Sequence, residues 1–291
     1  MTHDRRNALA ALAAAGTIWG LTVPMSKVAL GFLDPLWLTV ARFGLAAPVL
    51  AFAARGALRA AARRDVIGWG VLFYGAVVGL QNIGVGMTSV SHAALIVGAV
   101  PAFVALVALA CGRGSASPLA WTGFGVALAG VGLVAGGGGD SSLLGDALVL
   151  LSGAISALFV VAQPGLLRGR DPAAVTAVQM AAGTLFVLPV AALFEGAPAA
   201  APTFEQLTAF LALAGLGSVV PFVLYAYGQT RVTPEVAGAF VNLEPLVGAT
   251  IGAFAFGDPF GASQLIGAAA IVGGILMSVE WRAPRAAHTA R

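Results

Sequence analysis

Residues 35–64 read PLWLTVARFGLAAPVLAFAARGALRAAARR, an apolar stretch (35–54) followed by four arginines. A helix needs about 20 apolar residues to cross roughly 30 Å of hydrocarbon, because it rises about 1.5 Å per residue. Nine further stretches of this kind occur at 7–26, 66–86, 91–111, 118–136, 143–163, 172–194, 206–228, 234–256 and 262–280. The sequence therefore predicts an all-α polytopic membrane protein with ten transmembrane helices.

The basic residues follow these stretches in a regular way. Thirteen of the fifteen Lys and Arg residues lie in alternate gaps between them, beginning with the N-terminal segment. The other gaps carry acidic residues such as Asp34, Asp140 and Glu195. Basic loops stay on the cytoplasmic side of a membrane. We therefore expect ten spans in a bacterial inner membrane, with both termini in the cytoplasm.

Composition excludes several classes of protein. Only 9% of the residues are charged, whereas a soluble domain is about one quarter charged. The net charge of +3 does not indicate nucleic-acid binding, since the arginines flank spans instead of clustering. The single cysteine, Cys111, excludes an intrachain disulfide. The chain has no H-E-x-x-H, G-x-S-x-G or Walker A motif, so we expect neither an enzyme, a metal site nor a cofactor.

The chain contains an internal repeat. DPLWLTVARF at 34–43 recurs as DPAAVTAVQM at 171–180, and the segment from Thr88 to Pro101 matches that from Val232 to Pro245. The predicted halves are residues 1–137 and 138–291, each with five spans. An odd number of spans makes the second half enter the membrane from the opposite side. Secondary transporters use such inverted repeats and bind substrate near the midplane between them.

Three charged residues stand out because they lie deep in a predicted span or at its end, namely Glu244, Arg42 and Lys27. A charge in hydrocarbon costs about 2.5–3.5 kcal/mol on insertion scales. Glu244 lies near the middle of span nine, and two roles are open for it. It is functional, carrying a proton or sensing a cationic group, or it is structural, for example in an ion pair with Arg42. Arg42 is better explained by a structural role, in which it reaches the interface or pairs with Asp34. Lys27, at the end of span one, is expected to anchor that span at the interface.

Polar and aromatic residues and two prolines mark the same spans. Pro101 and Pro245 occupy equivalent places in spans four and nine, and such paired helix breaks indicate a hinge or a binding site. We expect several neighbouring side chains to line a central cavity; the candidates are Trp19, Tyr74, Gln81, Asn82, Tyr225, Tyr227 and Asn242, together with Glu244.

Several short motifs occur in a fixed order along essentially the whole chain. The first half carries Trp19-Gly20 with Pro24, Pro35 with Arg42-Phe43, and Thr88-Ser89 leading to Pro101. The second half carries Leu144-Gly145-Asp146, Thr233-Pro234-Glu235 and Glu244-Pro245. In this order, these motifs resemble the EamA-type branch of the drug/metabolite transporter superfamily. The sequence departs from the family pattern at Cys111-Gly112-Arg113, where Gly-Glu is usual, and at Gln179, which replaces the repeated arginine.

The resemblance implies a basket of ten helices around a central cavity and a carrier that moves small metabolites by alternating access. Within the family the chain looks most like exporters of amino acids, including aromatic ones, of the YddG type. Its partners would then be a small-molecule substrate, the lipid bilayer and, for coupling, protons. Two alternatives stay open: a carrier for drugs or other metabolites such as nucleotide sugars, and a channel-like pore.

Overall fold

The computed structural model describes residues 3–88, 93, 96–98, 100–112, 117–135, 142–198, 200–255 and 262–278. Within these ranges all regular secondary structure is helical, which confirms the predicted fold class. Residues up to 135 form α1 (His3–Gly20), α2 (Thr22–Ala29), α3 (Pro35–Ala53), α4 (Leu58–Ala61), α5 (Arg64–Gly70), the π-helix π1 (Val71–Val77), α6 (Val78–Met87), α7 (Val100–Ala110) and α8 (Pro118–Ala135).

The remaining helices begin at residue 143. They are α9 (Leu143–Leu167), α10 (Pro172–Phe194), α11 (Phe204–Ala214), the π-helix π2 (Gly215–Val219), α12 (Val220–Gln229), α13 (Pro234–Ala239), a 3-10 turn (Phe240–Asn242), α14 (Leu243–Ala255) and α15 (Ala262–Ser278).

Within the described ranges, six helical segments are long and apolar enough to cross a membrane. They are Asp4–Ala29, Pro35–Ala53, Arg64–Met87, Leu143–Leu167, Pro172–Phe194 and Phe204–Gln229. Three shorter apolar helices, Pro118–Gly130, Val236–Gly248 and Leu265–Gly274, lie in three more of the predicted stretches. The fourth predicted span contains α7, although residues 94–95 and 99 lie outside the description. The described part of the chain thus contains six clear spans, and the count of ten stays a prediction.

Two π-helical segments interrupt the third and eighth predicted spans, a feature that sequence reasoning missed. They are π1 (Val71–Val77) and π2 (Gly215–Val219). The sequence register that pairs Thr88 with Val232 also pairs the start of π1 with the start of π2. A π-helix widens the turn and often occurs at functional sites. The two halves of the chain therefore carry the same backbone irregularity at corresponding places.

Helix packing follows the repeat as well. The second and seventh predicted spans, α3 and α10, pack against each other, and so do the fifth and tenth, α8 and α15. The contact of α1 with α12 has its counterpart in the contact of α9 with α6. Glycines allow these contacts: a Cβ added at Gly84 would meet Val149, and one at Gly228 would meet Leu12. By the repeat, Gly84 corresponds to Gly228 and Val149 to Leu12.

Two charged side chains satisfy helix ends at the rim of the bundle. The carboxylate of Glu195, after α10, accepts hydrogen bonds from the backbone N–H groups of Leu36 and Trp37, each at 3.0 Å. These amides open α3 and have no partner within the helix. Lys27 Nζ donates to the carbonyl oxygens of Val85 (2.8 Å) and Thr88 (2.9 Å), where α6 ends. Lys27, expected at the interface, therefore binds the negative end of a helix dipole.

We predict that Gly70→Ala lowers the thermal unfolding midpoint of the protein in detergent. A Cβ at Gly70 would lie 2.5 Å from the backbone oxygen of Gln179 on α10, and overpacking of this kind costs about 1–3 kcal/mol. Gly68→Ala is the control. Gly68 lies on the same helix as Gly70, but a Cβ added there would meet no other atom within 4 Å. Equal midpoints for the two variants would contradict the close contact between α5 and α10.

Candidate binding cavity

A cavity opens between α1, α2, α3, α9, α12 and α14 and the π1–α6 segment. Its walls carry aromatic side chains, namely Trp19, Phe73, Tyr74, Phe159, Phe222 and Tyr225. Its polar side chains include Arg42, Gln81, Asn82, Gln163, Gln229 and Glu244. Residues from both halves of the sequence contribute to each set. The cavity thus lies between the halves and combines an apolar wall with a few polar groups, as ligand sites generally do.

The aromatic wall is one continuous contact network. Phe73 and Phe159 stack in parallel with their ring centroids 3.9 Å apart. Trp19 contacts Phe222 at 5.1 Å and Tyr225 at 4.9 Å between centroids. The two Trp19 contacts are inclined at 70° and 58°, an arrangement that is favourable at these distances because a positive ring edge approaches a negative ring face. A ligand with a flat apolar group would find several ring faces and edges here.

Arg42 is the cation of the cavity. It projects from α3, is 6% exposed, and donates from Nε to Ser218 Oγ at 2.6 Å and from Nη2 to the Gly217 carbonyl at 3.0 Å. Both acceptors belong to π2, in the other half of the chain. Ser218 Oγ in turn donates to the Leu213 carbonyl, five residues back. The widened turn therefore receives the guanidinium, and two of its five N–H groups are used.

Glu244 is the anion of the cavity. It is 8% exposed and is the second residue of α14, which directly follows the 3-10 turn Phe240–Asn242. Glu244 and Arg42 interact electrostatically. Among the described residues, however, ion pairs form at Asp65, with Arg63 at 3.7 Å and Arg170 at 4.0 Å. Within that same part of the chain, Arg42 has no such contact with Glu244 or Asp34. The contact ion pairs that the sequence allowed for Arg42 are thus absent from this part of the chain.

Amide side chains complete the polar lining. Gln163 and Gln179 exchange two hydrogen bonds, at 3.1 and 2.9 Å, so that Nε2 of each side chain donates to Oε1 of the other. Gln179 stands where the repeat has Arg42 in the first half. Asn82 Nδ2 donates to Thr39 Oγ1 at 2.9 Å. One half therefore presents a neutral amide pair where the other half presents a cation.

The structure brings together most of the residues that the sequence analysis proposed for the cavity. The lining includes Trp19, Tyr74, Gln81, Asn82, Tyr225 and Glu244. Two others are not among the lining residues: the Tyr227 ring centroid lies 3.9 Å from Cζ of Arg231, and Asn242 is buried as the last residue of the 3-10 turn. Pro101 and Pro245 are the second and third residues of α7 and α14. Proline is tolerated in the first turn of a helix.

Sequence reasoning missed several lining residues. Phe73, Phe159 and Phe222 gave no signal, because phenylalanine is equally common on lipid-facing surfaces. Gln163 could have been found, since it is a lone amide in an apolar span. The internal repeat supplies a further signal, because in several cases two residues at corresponding positions of the repeat both line the cavity. These pairs are Trp19 with Ser156, Ser26 with Gln163, Gln81 with Tyr225, and Val100 with Glu244.

Helical spans of membrane-crossing length around a cavity with aromatic walls and a few polar groups define a membrane protein that can hold a small solute. A sequence profile of the EamA-like transporter family matches residues 6–136 and again 143–279. The chain belongs to this family, within the drug/metabolite transporter superfamily. It is a transporter and not an enzyme.

Individual relatives agree with this assignment. A protein of Archaeoglobus fulgidus named as an uncharacterized transporter is 28% identical over 278 residues, which cover 92% of this chain and 95% of that protein. The Escherichia coli K12 protein named as the uncharacterized inner membrane transporter YedA is 27% identical, covering 92% of this chain and 89% of its own length. A crystal structure superposes with a TM-score of 0.79 at 19% identity, covering 93% of this chain and 96% of the other, which supports the fold.

We predict that Ser218→Ala destabilises the protein by about 1–3 kcal/mol, because it leaves a buried, charged N–H donor of Arg42 without an acceptor. Ser156→Ala is the matched control: this serine also lines the cavity, but its hydroxyl bonds only to the Ser152 carbonyl of its own helix. Thermal unfolding in detergent compares the two. A Ser218→Ala midpoint no lower than that of Ser156→Ala would contradict the role assigned to this contact.

Proposed function

We propose that this protein exports amino acids, including aromatic ones, across a bacterial inner membrane. The observation that carries the proposal is the pairing of one cation and one anion, Arg42 and Glu244, on a cavity with aromatic walls. A free amino acid is a zwitterion, so its carboxylate suits Arg42 and its ammonium group suits Glu244. The gap between the two side chains is where such a dipolar group fits.

The apolar part of the substrate would lie among the rings. Aromatic side chains bury a large area and pair favourably with other rings. A nucleotide sugar fits less well, because its two phosphates need more positive charge than the lining supplies: Arg42 is the one Arg or Lys among the described lining residues. This favours the amino-acid assignment over that alternative.

Alternating access follows from the proposed architecture of two inverted five-helix repeats, residues 1–137 and 138–291. Support comes from the two family-profile matches, the corresponding π-helical segments and the reciprocal packing of equivalent helices. Two similar halves around one cavity can exchange conformations, so that the cavity opens to each side in turn. Breaks near Pro101 and Pro245 supply hinges in this scheme, with both termini in the cytoplasm.

We predict saturable counterflow in proteoliposomes that contain the purified protein. Vesicles are loaded with unlabelled phenylalanine, tyrosine or tryptophan, and labelled phenylalanine is supplied outside. Uptake rises above that of unloaded vesicles, because an alternating-access carrier returns to the outside faster when it is loaded. Counterflow with an amphipathic cation but with no amino acid would identify a drug carrier. Unsaturable leak would identify a pore.

Glu244 is the proposed site of proton coupling. An apolar environment penalises a charged carboxylate, whereas the opposite charge of Arg42 stabilises it, so the balance changes when a substrate enters between them. Tyr74 and Tyr225 are the other titratable residues, besides Arg42, among the described residues that line the same cavity.

We predict that Glu244→Gln abolishes the dependence of transport on external pH, measured as uptake driven by a pH gradient. The control Glu205→Gln changes an exposed carboxylate outside the cavity and leaves the dependence intact. Unchanged pH dependence in Glu244→Gln would refute this role.

A further inference from the structure

Two residues of the cavity wall each carry a buried polar side-chain atom that has no hydrogen-bond partner among the described residues. Among the described residues, four buried side-chain atoms lack one, and two of them belong to lining residues: the hydroxyl oxygen of Tyr225 and Oε1 of Gln229. Their side chains are 5% and 2% exposed. Buried polar groups are nearly always satisfied, so each exception requires an explanation. A molecule in the cavity is the explanation that their position offers.

The two residues form one surface. Tyr225 and Gln229 are four positions apart on α12, and residues at this spacing lie above one another on the same helix face. The Tyr225 ring rests against Trp19, with 4.9 Å between centroids. Gln229 Nε2 donates to the Val160 carbonyl at 3.1 Å, which fixes the amide and leaves Oε1 as the free acceptor. Gln163 also lines the cavity but differs from Gln229, because both its Nε2 and its Oε1 are hydrogen-bonded to Gln179.

The corresponding positions of the first half reproduce this chemistry only in part. By the repeat, Tyr225 corresponds to Gln81, an amide that also lines the cavity, whereas Gln229 corresponds to Val85, a lining residue that is apolar. The Gln229 acceptor therefore has no polar counterpart in the first half. This asymmetry orients a ring that carries a hydrogen-bond donor on one edge.

We propose that the α12 face made by Tyr225 and Gln229 is a subsite for an N–H or O–H donor on the substrate's aromatic ring, so that indole and phenol groups are preferred to rings without a donor. This inference rests on the proposed function for the identity of the whole substrate. The subsite itself concerns the ring alone. A site with buried polar groups discriminates strongly against analogues that leave them unpaired.

The first experiment uses the purified full-length protein in detergent with indole and 1-methylindole as probes. The two differ in that the ring N–H is replaced by N–CH₃. Affinity is taken from the rise in unfolding temperature with ligand concentration. A plain apolar cavity would bind 1-methylindole at least as well, since it has more apolar surface. The proposed subsite instead requires that indole bind with about tenfold higher affinity than 1-methylindole.

Variants assign the effect to this face. Tyr225→Phe combined with Gln229→Met removes both polar groups and keeps the side-chain sizes similar, so the ratio of indole to 1-methylindole affinity falls to one or below. Tyr225→Phe alone, which removes an unbonded hydroxyl and retains the ring, serves if the double variant does not fold. Tyr227→Phe is the matched control: it deletes the same hydroxyl from the same helix outside the cavity lining, and it retains the ratio.

The second experiment separates this inference from the proposed function. In the counterflow assay, wild-type protein should prefer tryptophan to 1-methyltryptophan by about tenfold. Equal counterflow, or no preference for indole in the binding assay, overturns the subsite while the amino-acid transporter stands. A preference for indole in the binding assay, with no counterflow of any amino acid, supports the subsite and refutes the amino-acid assignment.

Discussion

The buried guanidinium of Arg42 is the constraint around which the cavity is arranged. A permanent charge inside a membrane bundle needs acceptors that cannot be supplied by lipid. Two come from π2, where the widened turn exposes the Gly217 carbonyl and places Ser218 beside Arg42 Nε. The irregular backbone and the buried charge thus satisfy each other. Because Arg42 and π2 belong to different halves of the sequence, the same contact holds those halves together around the cavity.

The helix contacts in this bundle follow the internal repeat more closely than the polar side chains do. The helix contacts are nearly symmetric, since hydrocarbon offers no hydrophobic drive and small residues at corresponding places allow close approach. The polar side chains are asymmetric: Arg42 in the first half corresponds by the repeat to Gln179 in the second, and Glu244 has a valine, Val100, as its counterpart. In the proposed alternating-access scheme, the symmetric packing would let the two halves exchange conformations. The asymmetric polarity would give a bound substrate one orientation.

The sequence predicted the fold class because span length and loop charge are physical requirements that any membrane helix must meet. It also identified Arg42 and Glu244, since charges in apolar stretches are costly. It did not predict the π-helices, because a widened turn depends on tertiary contacts and leaves no local pattern. The phenylalanines were missed for a related reason: their hydropathy is the same against lipid and against a cavity. Tyr227 looked like Tyr225 in the sequence, and only the helix face distinguishes them.

The capping of α3 has a consequence for biogenesis. The first backbone amides of this helix bond to Glu195, about 159 positions later in the chain, and Arg42 in the same helix depends on Ser218, later still. A nascent chain that ends before these residues therefore holds an inserted α3 with an open N-terminus and an unpartnered cation. The first half of the sequence cannot reach its final structure while it is alone. Quality control in the membrane would consequently distinguish truncated chains from complete ones by this single helix.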